Sequence, residues 1–129
     1  MPKLMMFMKR KPGISFETFR RHYEEVHIPL VAGWVGHLMT DFKRYYPAHF
    51  TNLFVGREDE SEAPVNDGGV DYDAVSIYSI RDDAALDELL QIASNPEFTR
   101  AVTLDEANFA DRGASRQSIT EEAVGPGLI

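Results

Sequence analysis

The sequence contains no cysteine, no long apolar run and few basic residues. Without cysteine there are no disulfides, thiolate nucleophiles or cysteine-ligated metals. No apolar stretch approaches the length of about 18 residues that a membrane helix needs, and no signal-peptide core is present, so we expect a cytoplasmic protein. The 13 Lys and Arg stand against 21 Asp and Glu, a formal net charge of −8. This charge disfavours binding to nucleic acid and to membranes.

Several short motifs of cofactor and metal chemistry are also missing. The sequence has no GxGxxG, no GxxxxGK[ST], no GxSxG and no HExxH pattern. These absences argue against nucleotide cofactors, a serine-hydrolase nucleophile and a zinc site. We therefore expect no cofactor and no metal, and look for a function in the acid–base chemistry of ordinary side chains.

Composition and periodicity predict one α+β domain over residues 1–129. Hydrophobic residues make up 43% and charged residues 26% of the chain, which are ordinary globular values. Apolar patterns and turn signals predict strands at 3–9, 39–55, 73–80 and 115–124, and helices at 15–38 and 82–95. One or two further helical turns follow Glu97, and residues 57–71 form an acidic loop. The order β-α-β-β-α-β is typical of the ferredoxin-like fold with an antiparallel sheet.

Two details of the predicted helices matter for the site. Ser15 is the expected N-cap of the first helix, and Asp82 or Asp83 that of the second. Pro29 lies inside the first helix and cannot donate a hydrogen bond to the carbonyl of Glu25. We expect a kink or a break there.

Both faces of the predicted sheet carry apolar side chains. The first strand directs Leu4, Met6 and Met8 to one face and Met5 and Phe7 to the other. The third strand directs Val75 and Ile77 to one face and Ala74, Tyr78 and Ile80 to the other. An exposed face of this kind is unfavourable in water unless a partner covers it. We therefore predict a homodimer in which two sheets pack around a two-fold axis to form a barrel-like core.

His27 is the histidine best placed to face the interior. A step of about 100° per residue puts it in one apolar stripe with Tyr23 and Trp34, whereas His22 falls on the exposed side. Partial burial favours a neutral imidazole, which can accept a proton near neutral pH. Spacing alone favours the alternative, a core histidine whose nitrogens bind backbone carbonyls.

Asp105 falls on an apolar face in the same way, close to Phe109. Two interpretations stay open: the carboxyl is buried and needs a partner, or the helix breaks near Thr103 and Asp105 caps the next segment. If both side chains point inward, Asp105 orients His27 as an acid–base pair. Asn108 could donate a hydrogen bond to developing negative charge, although a surface position is more typical of this residue.

Aromatic residues beside His27 are the candidates for a substrate pocket. We expect Tyr23, Trp34, Tyr78 and Phe109 to form its wall and to accept a flat, hydrophobic small molecule. Packing in the sheet and between subunits is the alternative role for the other aromatic side chains.

Three segments resemble the EthD-like family of dimeric α/β-barrel proteins: KRKPGISFETFRRHYEEVHIPL (residues 9–30), DYDAVSIYSI (71–80) and NPEFTRAVTLDEANFADR (95–112). The resemblance implies a ferredoxin-like subunit that dimerises through its sheet. Relatives in polyketide and aromatic-catabolic pathways act as cofactor-free decarboxylases, dehydratases, cyclases or lactone isomerases. The resemblance also implies a catalytic role for His27, which matches the histidine of the family's VHxP segment.

We therefore expect a homodimeric lyase or isomerase that acts without a cofactor on a hydrophobic cyclic or aromatic oxygenated metabolite. His27 would be the general base or acid, and Asp105 its orienting partner. Two alternatives stay open: an accessory protein that binds such a metabolite without turnover, and a haem-dependent enzyme of the dimeric-barrel type.

Overall fold

A single four-stranded antiparallel sheet organises the chain, and the computed structural model describes residues 2–48, 50 and 71–126 of it. The strands are β1 (Lys3–Met8), β2 (Met39–Tyr45), β3 (Ala74–Ile80) and β4 (Arg116–Thr120), and they lie in the order β2-β3-β1-β4. The helices are α1 (Phe16–His22), α2 (Ile28–Val35), α3 (Asp83–Ala93) and α4 (Pro96–Phe109). This order confirms the predicted ferredoxin-like α+β fold.

The strands are shorter than predicted, most of all at the C-terminal ends of β2 and β4. β2 stops at Tyr45, two residues before Pro47, whose missing N–H cannot extend the ladder. β4 covers only Arg116–Thr120, because the chain beyond it leaves the partner strand β1. The predicted end of β2 (51–55) and residues 57–70 of the predicted acidic loop lie outside the described residues.

The first helix continues through Pro29 by changing its hydrogen-bond pattern. A π-helical segment, Tyr23–His27, joins α1 to α2, and the N–H of Ile28 donates to the carbonyl of Tyr23, five residues back. The predicted interruption is therefore a π turn and not a break. A π turn contains one extra residue, so every later side chain is rotated relative to a regular α-helix. A short 3₁₀ turn, Gly36–Leu38, ends this helical run.

The second helical region is longer than the sequence pattern suggests. Asp82 is the N-cap of α3, and its Oδ1 accepts the N–H of Ala85 at 2.7 Å. Asn95 caps α4, which then runs unbroken for 14 residues to Phe109. The interpretation in which the helix breaks near Thr103 and Asp105 acts as a cap is therefore wrong. Asp105 lies in the third turn, where its carboxyl has side-chain partners.

The helices cover one face of the sheet and enclose two apolar clusters. One cluster is aromatic and centres on Phe19, Tyr23 and Phe109, with Met8 beneath them. The other holds Val35, Leu38 and Ile80 with the buried residues of α3. The opposite face of β1 and β3 carries half-buried apolar side chains within the single chain. In the described part of the chain, no helix is both long and apolar enough to cross a membrane.

Candidate active site

One carboxylate joins two imidazoles where the π segment meets α4. The Nδ1 of His27 lies 2.8 Å from Oδ2 of Asp105, and the Nε2 of His22 lies 2.8 Å from Oδ1 of the same carboxyl group. The ring of Phe109 packs against both imidazoles, at 4.8 Å from His22 and 4.9 Å from His27. The sequence led us to expect His27 and Asp105 together, but it placed His22 on the exposed side, which is wrong. The π turn is the cause, because it brings residues five apart toward one helix face.

The carboxyl group of Asp105 is ionised in this cluster. Partial burial of the carboxyl opposes its ionisation, but the hydrogen bonds from His27 and His22 outweigh burial and hold the pKa of Asp105 below its usual range. The ionised carboxylate accepts an N–H from each ring. His27 is therefore assigned the tautomer with its proton on Nδ1, which leaves the lone pair on Nε2.

The second ring nitrogen of His27 opens on a cavity. His27 is only 2% exposed, yet it lines a cavity that is partly open to solvent. Among the described residues Nε2 has no hydrogen-bond partner, and no fully buried side-chain nitrogen there is left unpaired. Nε2 is therefore accessible from the cavity, where it can meet a bound molecule.

The cavity has about 480 Å³ of space between the helix-covered face of the sheet and helices α3 and α4. This volume falls in the range of small-molecule sites, about 300–1,000 Å³. Most of its wall is apolar: Leu4, Met6, Met8, Val31, Val35, Met39, Leu89, Leu90, Ala93, Phe98, Val102, Ala110 and Ile119. Polar and charged side chains make up the rest of the wall, and these can orient a hydrophobic ligand: Tyr23, His27, Tyr78, Thr99, Thr103, Glu106, Arg112, Ser115, Arg116, Gln117 and Ser118.

Two tyrosines of the wall are held as neutral phenols. The hydroxyl of Tyr23 lies 2.5 Å from Oγ of Ser76 on β3. Burial raises the pKa of Tyr23 to about 12, in spite of this hydrogen bond. Burial and the adjacent Tyr23 also raise the pKa of Tyr78. Both side chains line the cavity and can serve as hydrogen-bond donors or acceptors at neutral pH.

Three other residues predicted for the site lie elsewhere. Trp34 is not among the described residues of the cavity wall and packs edge-on against Phe98, with ring centroids 5.6 Å apart. Asn108 is exposed on the surface of α4. Phe109 is fully buried behind the two imidazoles, so it supports the cluster and does not line the cavity.

Sequence reasoning missed an ion pair in the cavity wall. Glu106 and Arg112 both line the cavity, and Nε of Arg112 lies 3.1 Å from Oε1 of Glu106. The sequence does contain a signal for Glu106. It follows Phe98 and Val102 at steps of four, so all three residues lie on one face of α4. Within the described ranges, no group of three or more His, Asp or Glu side chains is arranged to hold a metal ion.

Comparison with known proteins identifies the family. The model of the EthD domain matches residues 11–113, which is most of the chain. The chain belongs to the EthD family. This EthD-family protein is 29% identical over 112 residues to the conidial pigment biosynthesis dehydratase EthD of Metarhizium robertsii, covering 85% of this chain and 74% of that protein. It is 27% identical over 124 residues to the dehydratase aurZ of Gibberella zeae, covering 93% and 77%.

Solved structures share the fold of this EthD-family protein. An EthD-like protein from Ralstonia eutropha superposes with a TM-score of 0.60 at 16% identity, covering 95% of this chain and 92% of that chain. A protein from Bacteroides fragilis, described as dimeric with a ferredoxin-like fold, superposes with a TM-score of 0.50 at 10% identity, covering 94% and 95%. At these identities the likeness establishes the fold alone.

Proposed function

We propose that this protein is a cofactor-free dehydratase that removes water from a hydrophobic, cyclic or aromatic hydroxyketone. The proposal is carried by one observation: His27 lines a largely apolar cavity while its Nδ1 is held by the Asp105 carboxylate, which leaves Nε2 for a bound molecule. A base fixed in this way can take a proton from a bound substrate. The names of the two curated relatives, both dehydratases, support elimination of water over the other reactions expected of the family.

The elimination needs only proton transfers. Nε2 of His27 takes a proton from the carbon next to the substrate carbonyl, and those electrons form a carbon–carbon double bond. The bond from the next carbon to its hydroxyl oxygen breaks, and the imidazolium returns the proton to that oxygen, so that water leaves. Asp105 holds the ring in place and stabilises its charge while it carries the proton. Tyr23 and Tyr78 also line the cavity, and a bound carbonyl oxygen would have to join the hydrogen bonds that their hydroxyls already make.

The proposal is tested by turnover of a panel of bicyclic and tricyclic β-hydroxyketones. Loss of water conjugates the new double bond with the carbonyl group, so the reaction is followed by ultraviolet absorbance and by mass spectrometry of the product. We expect enzyme-dependent loss of water from at least one member of the panel. Saturable binding of these compounds without turnover would contradict the proposal and favour the accessory-protein alternative.

The proposed enzyme acts as a homodimer through the uncovered face of its sheet. Met5 and Phe7 of β1 lie opposite Ile77 and Val75 of β3 on this face, and all four are only half-buried in one chain. An apolar face of this kind is favourable only when another surface covers it. A second copy is the simplest partner, and the related fold from Bacteroides fragilis is described as dimeric.

We expect Ile77→Glu to convert the dimer to a monomer, because the substitution places an unpaired charge in the apolar contact. Sedimentation velocity at micromolar concentration measures the change. Leu104→Glu is the matched control, since Leu104 is 63% exposed on α4, away from the sheet face. A wild-type chain that sediments as a monomer at this concentration would contradict the proposed dimer.

A further inference from the structure

The Asp105 carboxylate holds two imidazoles, but the proposed reaction uses only one. The two contacts have the same length, 2.8 Å, and they occupy the two oxygens of one carboxyl group. The rings differ in their contact with water: the side chain of His22 is 23% exposed, and that of His27 is 2% exposed. His22 is also absent from the described wall of the cavity, so it does not meet a ligand there.

We propose that His22 is a positioning residue that carries the positive charge of this cluster and thereby keeps His27 neutral and able to accept a proton. The inference rests on the proposed function, because it gives His22 a role in the reaction only through His27.

The distribution of charge follows from the number of groups: the Asp105 carboxylate is one counter-ion for two bases, the imidazoles of His22 and His27. A single carboxylate can balance one imidazolium, and a second protonated ring nearby adds a charge that nothing balances. This geometry therefore favours one charged imidazole beside Asp105 over two. Burial disfavours the charged form of an imidazole, so the shared proton resides on His22, the ring in better contact with water.

The same repulsion assists the return of the proton. When Nε2 of His27 takes the proton from the substrate carbon, both rings are charged around one carboxylate. His27 then releases this proton more readily to the departing hydroxyl oxygen. Water leaves, and the cluster is again in its starting state, with one proton on His22 and His27 neutral. The base thus becomes an effective acid in the second half of the step.

Other charged groups near the cluster are paired, neutral or exposed. On α4, Glu106 is ion-paired with Arg112. On the helix that carries both histidines, Glu24 is paired with Arg44 of β2, and Arg21 and Glu25 are exposed to solvent. Tyr23 on this helix and Tyr78 on β3 stay neutral, because burial raises the pKa of both phenols. Phe109, which packs on both rings, carries no charge.

The test compares three variants of the full chain by NMR titration of the His27 ring. In His22→Gln the side-chain amide can still donate to Asp105 but cannot carry charge, and in His22→Ala both properties are lost. His37→Gln is the matched control, because His37 is exposed and pairs with Glu88 outside the site. We expect the midpoint of the His27 titration to move to higher pH by about one unit in His22→Gln and His22→Ala, and to stay in place in His37→Gln.

Two results would overturn the proposal. One is an unchanged His27 midpoint in His22→Gln. The other is a shift in His22→Ala alone, which would assign His22 a hydrogen-bonding role without charge. Because the titration needs no substrate, its outcome is independent of whether any hydroxyketone is turned over. If turnover is found, the acid limb of the pH–rate profile should move in the same direction as the NMR midpoint.

Discussion

Replacing His27 by alanine is expected to lower the rate of water elimination by about 10²- to 10⁴-fold, which is the range that a positioned general acid–base contributes. The loss should fall on kcat, because the apolar wall that binds the substrate is left in place. Among the described histidines only His27 lines the cavity, so no other one of them can take over as the base. The measurement is kcat and KM for the best substrate of the hydroxyketone panel.

Chemical rescue makes this experiment specific. The truncated side chain leaves space beside the cavity, so added imidazole should restore part of the rate, and the restored rate should rise with the concentration of its neutral form. His37→Ala serves as the control for a histidine outside the site and should keep the wild-type rate. Circular dichroism and thermal unfolding show whether the variant is folded. Full turnover by a folded His27→Ala variant would exclude His27 as the base.

The order of strands and helices was predictable because it depends on local patterns. Strand β1 is a short apolar run, and Ser15 and Asp82 cap helices where the sequence places them. The pairing of His27 with Asp105 was also within reach, since each residue falls on an apolar face of its own helix. Neither pattern could show that the two helices meet at this point, because that depends on how both pack on the sheet.

The inward face of the first helix was predicted correctly for Tyr23 and His27, but not for His22 and Trp34, which lie on either side of the π segment. A uniform step of about 100° carries the stripe from His27 to Trp34. In the structure the extra residue of the π turn moves the cavity face to Val31 and Val35, and Trp34 turns away to Phe98. The same extra residue moves His22 inward. Pro29 signals an irregularity, but the sequence does not reveal whether the helix kinks, breaks or changes its hydrogen-bond register.

The length of α4 was underestimated for a related reason. An acid on an apolar face is unfavourable in isolation, and this favoured an early end to the helix. Two imidazoles from another element satisfy Asp105, which removes the reason for the helix to stop. Partners of this kind come from residues about 80 positions away in sequence, and local propensity contains no information about them.

Asp105→Asn is expected to lower the rate of elimination by about 10²-fold or more, although the side chain keeps its size. An amide can donate its N–H₂ to Nδ1 of His27, which favours the tautomer that carries the proton on Nε2. The nitrogen that faces the cavity then has no lone pair for the substrate proton. The loss of the negative charge also removes the stabilisation of the imidazolium that forms during the reaction.

A double variant separates this role from a general loss of structure. If Asp105 acts only through His27, the variant His27→Ala with Asp105→Asn should be no slower than His27→Ala alone, because residues that act as a unit have non-additive effects. Asp87→Asn, an exposed acid of α3, is the matched control and should keep the wild-type rate. Nitrogen-15 NMR of the His27 ring reports the tautomer directly. An Asp105→Asn variant with an unprotonated Nε2 and full activity would contradict the orienting role of this carboxylate.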